Sequence, residues 1–203
     1  PSTNQLQGYV FRRNILIEND EPGSLGAKLF SQGVHNLLIE ENLFFSPEGG
    51  NRHMYIAHEG DNGHIEIRRN ILYASQRICL TFRTAGRLHN NLIVRSDRTQ
   101  YGHGSDGPHY GDTVDYNVFL ERWAKEFDIS GLNIEEIHGA FIFGNIFTDG
   151  IGATGGTTAI STNADTESVD IYENVVGTWG TDENKGTATS FANRETPYKA
   201  INV

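Results

Sequence analysis

The chain has 203 residues, which is enough for one sizeable domain. Its net charge of −10 argues against nucleic acid as a partner, and no apolar run is long enough to span a membrane. The single cysteine, Cys79, excludes an internal disulfide.

A short pattern returns seven times along the chain: an apolar residue, two variable residues, an asparagine and two apolar residues. The asparagines are Asn14, Asn42, Asn70, Asn91, Asn117, Asn145 and Asn174, with spacings of 28, 28, 21, 26, 28 and 29 residues. A period of this length, built from short β-branched runs with Gly, Asn and Asp between them, is typical of a parallel β-solenoid. The uninterrupted repeat predicts a single domain over residues 1–203.

Each asparagine has a physical role in such a coil. We expect it to adopt the left-handed backbone conformation at a sharp corner. We also expect its amide to hydrogen-bond to the asparagines of the coils above and below. Phe44, Phe119 and Phe147 stand two residues after an asparagine and are predicted to be stacked core side chains.

This run of coils, over about residues 9–180, resembles the right-handed parallel β-helix of the pectate-lyase-like superfamily. The resemblance implies an all-β fold, a right-handed parallel β-helix of about seven coils with an asparagine ladder. The superfamily is implied to include polysaccharide lyases, uronan C5-epimerases, glycoside hydrolases and phage tailspikes. The residues of the functional site have to decide which of these activities the chain has, because the fold alone does not. Neither end shows a capping segment, so we expect a piece of a longer protein or a solenoid capped by another chain.

Each coil needs a further strand, and residues 27–32, 53–58, 77–83 and 157–162 are the candidates. We expect them to stack as one sheet. Period-2 alternation then points Met54 and Ile56 inwards and Tyr55, Thr81 and Arg83 outwards. In the family that the chain resembles, the outer face of this sheet is the usual sugar site.

Arginines concentrate around the shortest coil, between Asn70 and Asn91. Residues 68–98 hold seven arginines and one acid, Asp97, a local charge of about +6 inside an acidic protein. Individual arginines can pair with acids of adjacent coils, such as Glu40, Glu66 and Asp115. For the cluster as a whole, we favour a field that attracts an anionic ligand.

The flanking segments 46–52 and 96–112 are predicted to be loops that wall a cleft over this coil. Six of the eight histidines fall between His53 and His109. Residues 121–139 are predicted to be a partly helical insertion. Its Trp123 either stacks on a sugar or packs against the flank of the solenoid.

Cleavage of a uronan by β-elimination needs a cation on the C6 carboxylate, a base at C5 and an acid at O4. Arginine binds a carboxylate bidentately, and His and Tyr can carry the proton. The catalytic candidates are His58, Arg83, Tyr55, His103, His109 and Tyr110. The substrate-binding candidates are Arg68, Arg87, Arg77, His53, Tyr101 and Trp123.

The sequence therefore predicts an extracellular, secreted or periplasmic lyase that acts on an alginate- or pectate-like anionic polysaccharide. Pectate lyases of this fold bind Ca²⁺ through aspartates on the groove sheet. The matching strands here carry none, so we expect no cofactor and no catalytic metal. The acids of residues 18–26 could hold Ca²⁺, but a solvated acidic turn is the simpler interpretation.

Three alternatives stay open. A uronan C5-epimerase shares the first step, and Asp106-Gly107-Pro108-His109 resembles the Asp-Pro-His motif of alginate epimerases with one Gly inserted. A hydrolase would need paired carboxylates, and no recognisable constellation exists. A non-catalytic glycan-binding module of the tailspike type would use the repeat for length and stiffness.

Overall fold

The structure is a computed structural model. It describes residues 8–17, 27–32, 36–46, 52–57, 64–75, 80–83, 86–96, 101–103, 109–124, 130–134, 137–148, 150–152, 158–162, 168–177, 179–180 and 189–191. Within these ranges every regular element is a β-strand. The same residues contain no helix of the length and apolarity that a bilayer crossing requires.

The strands are short and are numbered in chain order. The first thirteen are β1 (Val10–Arg12), β2 (Ile15–Ile17), β3 (Ala27–Gln32), β4 (Leu37–Glu40), β5 (Leu43–Phe45), β6 (Arg52–Ala57), β7 (Ile65–Arg68), β8 (Ile71–Ser75), β9 (Leu80–Arg83), β10 (Gly86–His89), β11 (Leu92–Ser96), β12 (Tyr101–His103) and β13 (His109–Tyr110). The others are β14 (Thr113–Asp115), β15 (Val118–Ala124), β16 (Ser130–Ile134), β17 (Ile137–His138), β18 (Phe141–Phe143), β19 (Ile146–Thr148), β20 (Gly150–Gly152), β21 (Thr158–Thr162), β22 (Asp170–Tyr172), β23 (Val175–Val176), β24 (Trp179–Gly180) and β25 (Thr189–Phe191).

Three parallel sheets contain most of these strands. The first sheet has the order β1-β4-β7-β10-β14-β18-β22, the second has β2-β5-β8-β11-β15-β19-β23, and the third has β3-β6-β9-β12-β16-β21-β25. Strands β20 and β24 extend the second sheet, and β13 pairs with β17. Each pairing along the three sheets joins a strand to its counterpart one repeat later, an arrangement compatible with the predicted parallel β-helix.

The core consists of rows of apolar side chains that stack from repeat to repeat. Ile39 is aligned with Ile67 in the first sheet, and both are fully buried. In the second sheet the rings of Phe119 and Phe147 stack with centroids 4.6 Å apart and planes 2° apart. The predicted core positions of Phe119, Phe147 and Phe44 are confirmed, because all three have 0% exposure.

The asparagine of each repeat lies at the corner between the first and second sheets. The backbone N–H and Nδ2 of Asn70 donate to Oδ1 of Asn91, at 2.9 and 3.0 Å. Nδ2 of Asn70 also donates to the carbonyls of Ile39 and Arg68, both at 2.9 Å. The donation from asparagine to asparagine recurs at each step from Asn14 to Asn174. These ladder-like bonds satisfy amide groups that would otherwise be buried without partners.

The prediction that the asparagine itself adopts the left-handed conformation was wrong. The residue directly before it has the positive φ, for example 54° at Arg69 and 53° at Tyr116. The left-handed residue lies between the asparagine and the residue whose carbonyl accepts a hydrogen bond from the asparagine Nδ2, two positions earlier. At Gly144 a Cβ atom would lie 2.6 Å from the Tyr116 ring, so any larger residue in that repeat would require the ring to move.

The four strand candidates of the further sheet are confirmed over their described residues, which leave out residues 58, 77–79 and 157. Strands β3, β6, β9 and β21 all belong to the third sheet. Two predictions are corrected: β12 lies within the predicted loop 96–112 and β16 within the predicted insertion 121–139, and both continue this sheet. The helical character expected for 121–139 is absent from its described residues, which form strands. Residues 18–26, 47–51, 97–100, 104–108 and 125–129 lie outside the described ranges.

We expect Asn117→Ala to destabilise the protein by roughly 3 kcal/mol, because several buried polar partners then lose their hydrogen bonds. Asn117 donates through Nδ2 to Asn145, Leu88 and Asp115 and accepts from Asn91. Urea unfolding followed by circular dichroism measures the loss. Asn14→Ala is the matched control at the half-buried end of the row and should cost about 1 kcal/mol. Equal losses at both positions would refute this role of the buried row.

Candidate functional site

Two of the catalytic candidates lie on neighbouring strands of the third sheet. Tyr55 is in β6, in register with Thr81, and Arg83 is in β9, in register with Ala57. Tyr55 alternates along β6 with Met54 and Ile56, which are fully buried, so its position belongs to the outer face. The register puts Arg83 on that face too, two residues farther along. From strand spacing and rise, their Cα atoms are roughly 8 Å apart.

His103 and Tyr101 do not join this pair. Both belong to β12, so the expectation that a loop carries them over a cleft was wrong. Tyr101 is in register with Leu80, and Leu80 with Met54, both of which are fully buried. His103 follows the row of Phe82 and Ile56. The register therefore aligns both candidates with rows that neighbouring strands use for the core.

His109 and Tyr110 form β13, which pairs with β17 through Ile137 and His138. Asp112 follows two residues later, and its Oδ1 accepts a hydrogen bond from the backbone N–H of Gly86 at 2.7 Å. Gly86 is the first residue of β10 and comes three residues after Arg83, so this bond connects the segment after His109–Tyr110 to the start of β10.

Asp112 is nearly fully buried, at 2% exposure. Burial raises the pKa of this carboxyl to about 7, although the hydrogen bond from Gly86 acts in the opposite direction. The hydrogen bond between Gly86 and Asp112 therefore involves a carboxyl group that titrates near neutral pH.

The remaining candidates are dispersed. Trp123 lies near the end of β15, in register with Ile151 of β20, and not in an insertion outside the repeat. His53 has 0% exposure and its ring centroid lies 6.1 Å from that of Phe44, so it is buried although it has the same parity along β6 as Tyr55. His58 and Arg77 lie outside the described residues.

Arg68 and Arg87 lie on the first sheet, where both make ion pairs within the chain. Arg68 contacts Glu40 and Glu66, each at 2.9 Å. Arg87 donates to both carboxylate oxygens of Asp115, at 2.9 and 2.6 Å, and Asp115 is fully buried. A substrate carboxylate would have to displace these partners, so pairing with adjacent repeats is the better interpretation of these two arginines.

Arg69 also makes an ion pair within the chain, with its Nη2 2.7 Å from Oε2 of Glu40. Hydrogen bonds from Arg69 and Arg68 hold the pKa of Glu40 below its ordinary value. The hydrogen bond with Asp115 raises the pKa of Arg87 above its ordinary value, so this ion pair also favours the charged forms. Three arginines of the cluster, Arg68, Arg69 and Arg87, are therefore balanced locally by acids.

His89 is a member of this network that the sequence did not single out. Its Nε2 lies 2.8 Å from Oε1 of Glu66, and its Nδ1 lies 2.8 Å from Nδ2 of Asn90. An amide N–H only donates, so Nδ1 accepts and Nε2 carries the proton that it donates to Glu66. The alignment of the repeats could have revealed this residue, since His89 is in register with Arg68 on one neighbouring strand and with Asp115 on the other. Burial raises the pKa of Glu66, but the hydrogen bond from His89 and the charge of Arg68 outweigh it and lower the pKa.

Among the described residues, no group of three or more His, Cys, Asp or Glu side chains is placed to hold a metal ion. The acidic segment 18–26, for which Ca²⁺ was considered, lies outside them.

Comparison with known proteins finds no match. No protein-family model matches the sequence, and no curated protein or solved structure is significantly similar to the chain.

We expect Asp112 to make the folded state less stable as the pH rises from about 4 to about 7. Its pKa is raised from 3.8 to about 7 on folding, so the folded state binds a proton that the unfolded state releases in this range. The contribution is fully present below pH 4 and is lost as the pH passes through 7, with an upper limit of about 4 kcal/mol. Thermal unfolding at a series of pH values measures it.

Asp112→Asn keeps an oxygen acceptor for Gly86 and removes the titration. The difference in stability between Asp112→Asn and the unsubstituted protein should therefore grow between pH 4 and 7 and level off above. A difference that does not change with pH would contradict the assignment.

We expect Arg87→Met to destabilise the protein by on the order of 3 kcal/mol, because it leaves the buried carboxylate of Asp115 without its bidentate partner. Arg69→Met is the matched control. It leaves Glu40 bound to Arg68, so the buried carboxylate keeps a partner and the loss should be less than about 1 kcal/mol. Urea unfolding at neutral pH compares the two, and similar losses would refute a special role for the Arg87–Asp115 pair.

Proposed function

We propose that the chain is a right-handed parallel β-helix of about seven coils, of the pectate-lyase-like type, with an asparagine ladder along one corner. We further propose that it acts outside the cytoplasm and cleaves an anionic, uronic-acid-containing polysaccharide by β-elimination. The outer face of the third sheet is the proposed site.

The observation that carries the proposal is the register of Tyr55 and Arg83. They occupy outer-face positions on adjacent strands, separated by roughly 8 Å, which is a span that one sugar residue can bridge. Arginine binds a carboxylate bidentately and stays charged at all relevant pH values. A tyrosine beside a cation gives up its proton more readily than an isolated one. The pair thus combines a carboxylate clamp with a group that can carry a proton.

In the proposed reaction, Arg83 binds the C6 carboxylate and stabilises the negative charge that develops when C5 loses its proton. A base, for which Tyr55 is our first choice, removes that proton. The electrons of the C5–H bond form the C4=C5 double bond, the C4–O4 bond breaks, and O4 leaves with a proton from an acid. His58, His109 and Tyr110 are the candidates for that acid.

The row of outer positions that passes through Tyr55 supports a glycan as the ligand. From Tyr55 the register leads to Thr81, Gly102, Asn133, Ser161 and Ser190. Hydroxyl and amide side chains at successive strands suit the hydroxyl groups of a sugar chain. A strand spacing of about 4.8 Å makes this row long enough for several sugar residues.

The proposal predicts that the protein releases unsaturated uronate ends from alginate, polygalacturonate or a glycosaminoglycan, which ultraviolet absorbance detects. Arg83→Ala should lower kcat/KM by roughly 100-fold or more, since it removes the partner of the developing charge. Tyr55→Phe should lower kcat by about 100-fold, since it removes the proton carrier. Arg69→Ala is the matched control, because it removes the same charge from the first sheet, and it should leave the rate unchanged.

No unsaturated product from any of these polymers would overturn the lyase proposal. Binding without cleavage would instead favour the glycan-binding module. Incorporation of deuterium at C5 with inverted configuration would favour the epimerase. Circular dichroism of each variant ensures that lost activity is not lost folding.

A further inference from the structure

The outer face of the first sheet changes character along the chain. The outer positions of β7, β10 and β14 are mostly charged, and their side chains pair with one another, as Arg87 does with Asp115. In the same register rows, the next two strands, β18 and β22, hold three aromatic residues: Phe141, Phe143 and Tyr172. Tyr116, at the corner that follows β14, contacts Phe143. We call these four residues the aromatic patch.

The rings of the aromatic patch have two orientations. Those of Phe143 and Tyr172 are parallel within 3°, with centroids 4.9 Å apart, so they stack along the sheet and turn their edges outwards. The Tyr116 ring is nearly perpendicular to that of Phe143, at 85°. A Cβ atom at Gly144 would lie 2.6 Å from Cε1 and 2.7 Å from Cδ1 of Tyr116, so this ring covers the backbone of the glycine. The opposite face of the Tyr116 ring is directed away from the protein.

Tyr116 occupies a backbone position that does not suit it. Its φ of 53° lies in the left-handed region, which a bulky residue adopts only at a cost in free energy. The repeats on either side have Asn90 and Gly144 at the same position, and these residue types adopt that conformation more readily. Burial does not explain the tyrosine, because its side chain is 53% exposed. A strained, exposed and firmly seated ring is instead typical of a ligand contact.

The size of the aromatic patch favours a small ligand unit over a protein. The patch spans three neighbouring strands, or roughly 10 Å along the solenoid. Its most accessible members are Tyr116 and Phe141, which are 53% and 43% exposed. A stable protein interface covers about 800 Å² on each partner, which is several times more than a patch of this width offers. One or two sugar rings match it.

The charges around the patch favour a neutral sugar. Asp170 lies on β22, and Glu173, directly after that strand, is exposed. Burial and then the negative charge of Glu173 raise the pKa of Tyr172. The nearby cation Arg87 is already paired with Asp115. Carboxylates accept hydrogen bonds from hydroxyl groups but repel another carboxylate, so a uronate is disfavoured here.

We propose that the aromatic patch is a second carbohydrate-binding site, which takes a neutral sugar residue of a glycan. Tyr116 stacks its outward face on the apolar C–H face of a pyranose ring. Asp170 and Glu173 accept hydrogen bonds from the hydroxyl groups of the sugar. The site is independent of the proposed cleavage reaction, because it lies on a different sheet and takes a ligand without a carboxylate.

Isothermal titration calorimetry with cellohexaose, a neutral β-1,4-glucan, tests the site. Tyr116→Asn should weaken the binding by roughly tenfold, since it removes the stacking ring and introduces the residue that Asn90 shows to fit this corner. Phe141→Thr introduces the residue type of Thr113 in the same row, and it should weaken the binding by roughly threefold.

Two variants and one ligand serve as controls. Tyr9→Asn removes another exposed tyrosine, 51% exposed, outside the patch, and it should leave cellohexaose binding unchanged. Arg83→Ala alters the proposed site on the third sheet and should also leave it unchanged. Hexaglucuronate with the same β-1,4 linkage carries a carboxylate on every residue, and Tyr116→Asn should not change its binding.

The absence of cellohexaose binding would overturn the proposal, as would binding that neither patch variant weakens. Equal weakening by Tyr9→Asn would overturn it too, and weakening by Arg83→Ala would assign the sugar to the third sheet. A tenfold loss of hexaglucuronate binding in Tyr116→Asn would refute the preference for a neutral sugar. Thermal unfolding checks that each variant is folded, and if Tyr116→Asn is not, Phe141→Thr decides. A failure of the lyase assay leaves this test unaffected.

Discussion

The structure depends on a buried amide that only a neighbouring repeat can satisfy. Each interior asparagine of the row is buried, and each takes hydrogen bonds from one neighbour and gives them to the other. A buried amide without partners costs about 1–3 kcal/mol per group, so any shift of one repeat against the next is penalised at this corner first. With the corner held, the rows of isoleucine, leucine and phenylalanine on either side come into register and close the core. The asparagine thus specifies the stacking, and apolar burial stabilises it.

The outer faces are then available for chemistry. On the first sheet, Glu40, Arg68, Glu66 and His89 form one hydrogen-bonded network over three neighbouring strands. Arg87 binds Asp115 of the next strand in the same way. Because these charged side chains are already paired with one another, they make a poor site for an anionic ligand. On the third sheet the positions that follow Tyr55 in register are polar or small, and Phe30 is the position before it. The division between a self-paired face and a polar face is the reason that we place the site on the third sheet.

The repeat could be predicted because its signal is redundant: seven asparagines with apolar neighbours define two strands and a corner each time. The third sheet was harder to predict. Strands β12 and β16 are Tyr-Gly-His and Ser-Gly-Leu-Asn-Ile, which carry Gly and little β-branched alternation, so β12 resembled part of a loop and β16 part of an insertion. Parallel pairing with Leu80 and Ile160, and not local propensity, makes them strands.

The site was predictable only in part, for a related reason. Whether Arg87 meets a ligand or Asp115 depends on a register 28 residues away, which no local pattern reveals. The same holds for His89, whose partner Glu66 is 23 residues away. Tyr55 and Arg83 could be placed on one face because period-2 alternation around Met54 and Ile56 is a local signal.

The hydrogen bonds between repeats all run along one axis, and this determines how the molecule would respond to tension. A pull applied along that axis can break one layer of bonds at a time, because each strand is bonded only to its counterparts in adjacent repeats. Repeats should therefore detach one after another, and a spacing of 28 residues would release roughly 90 Å of chain per event. The covalent chain carries force only around each repeat, so the resistance to stretching along the axis depends on hydrogen bonds and packing alone.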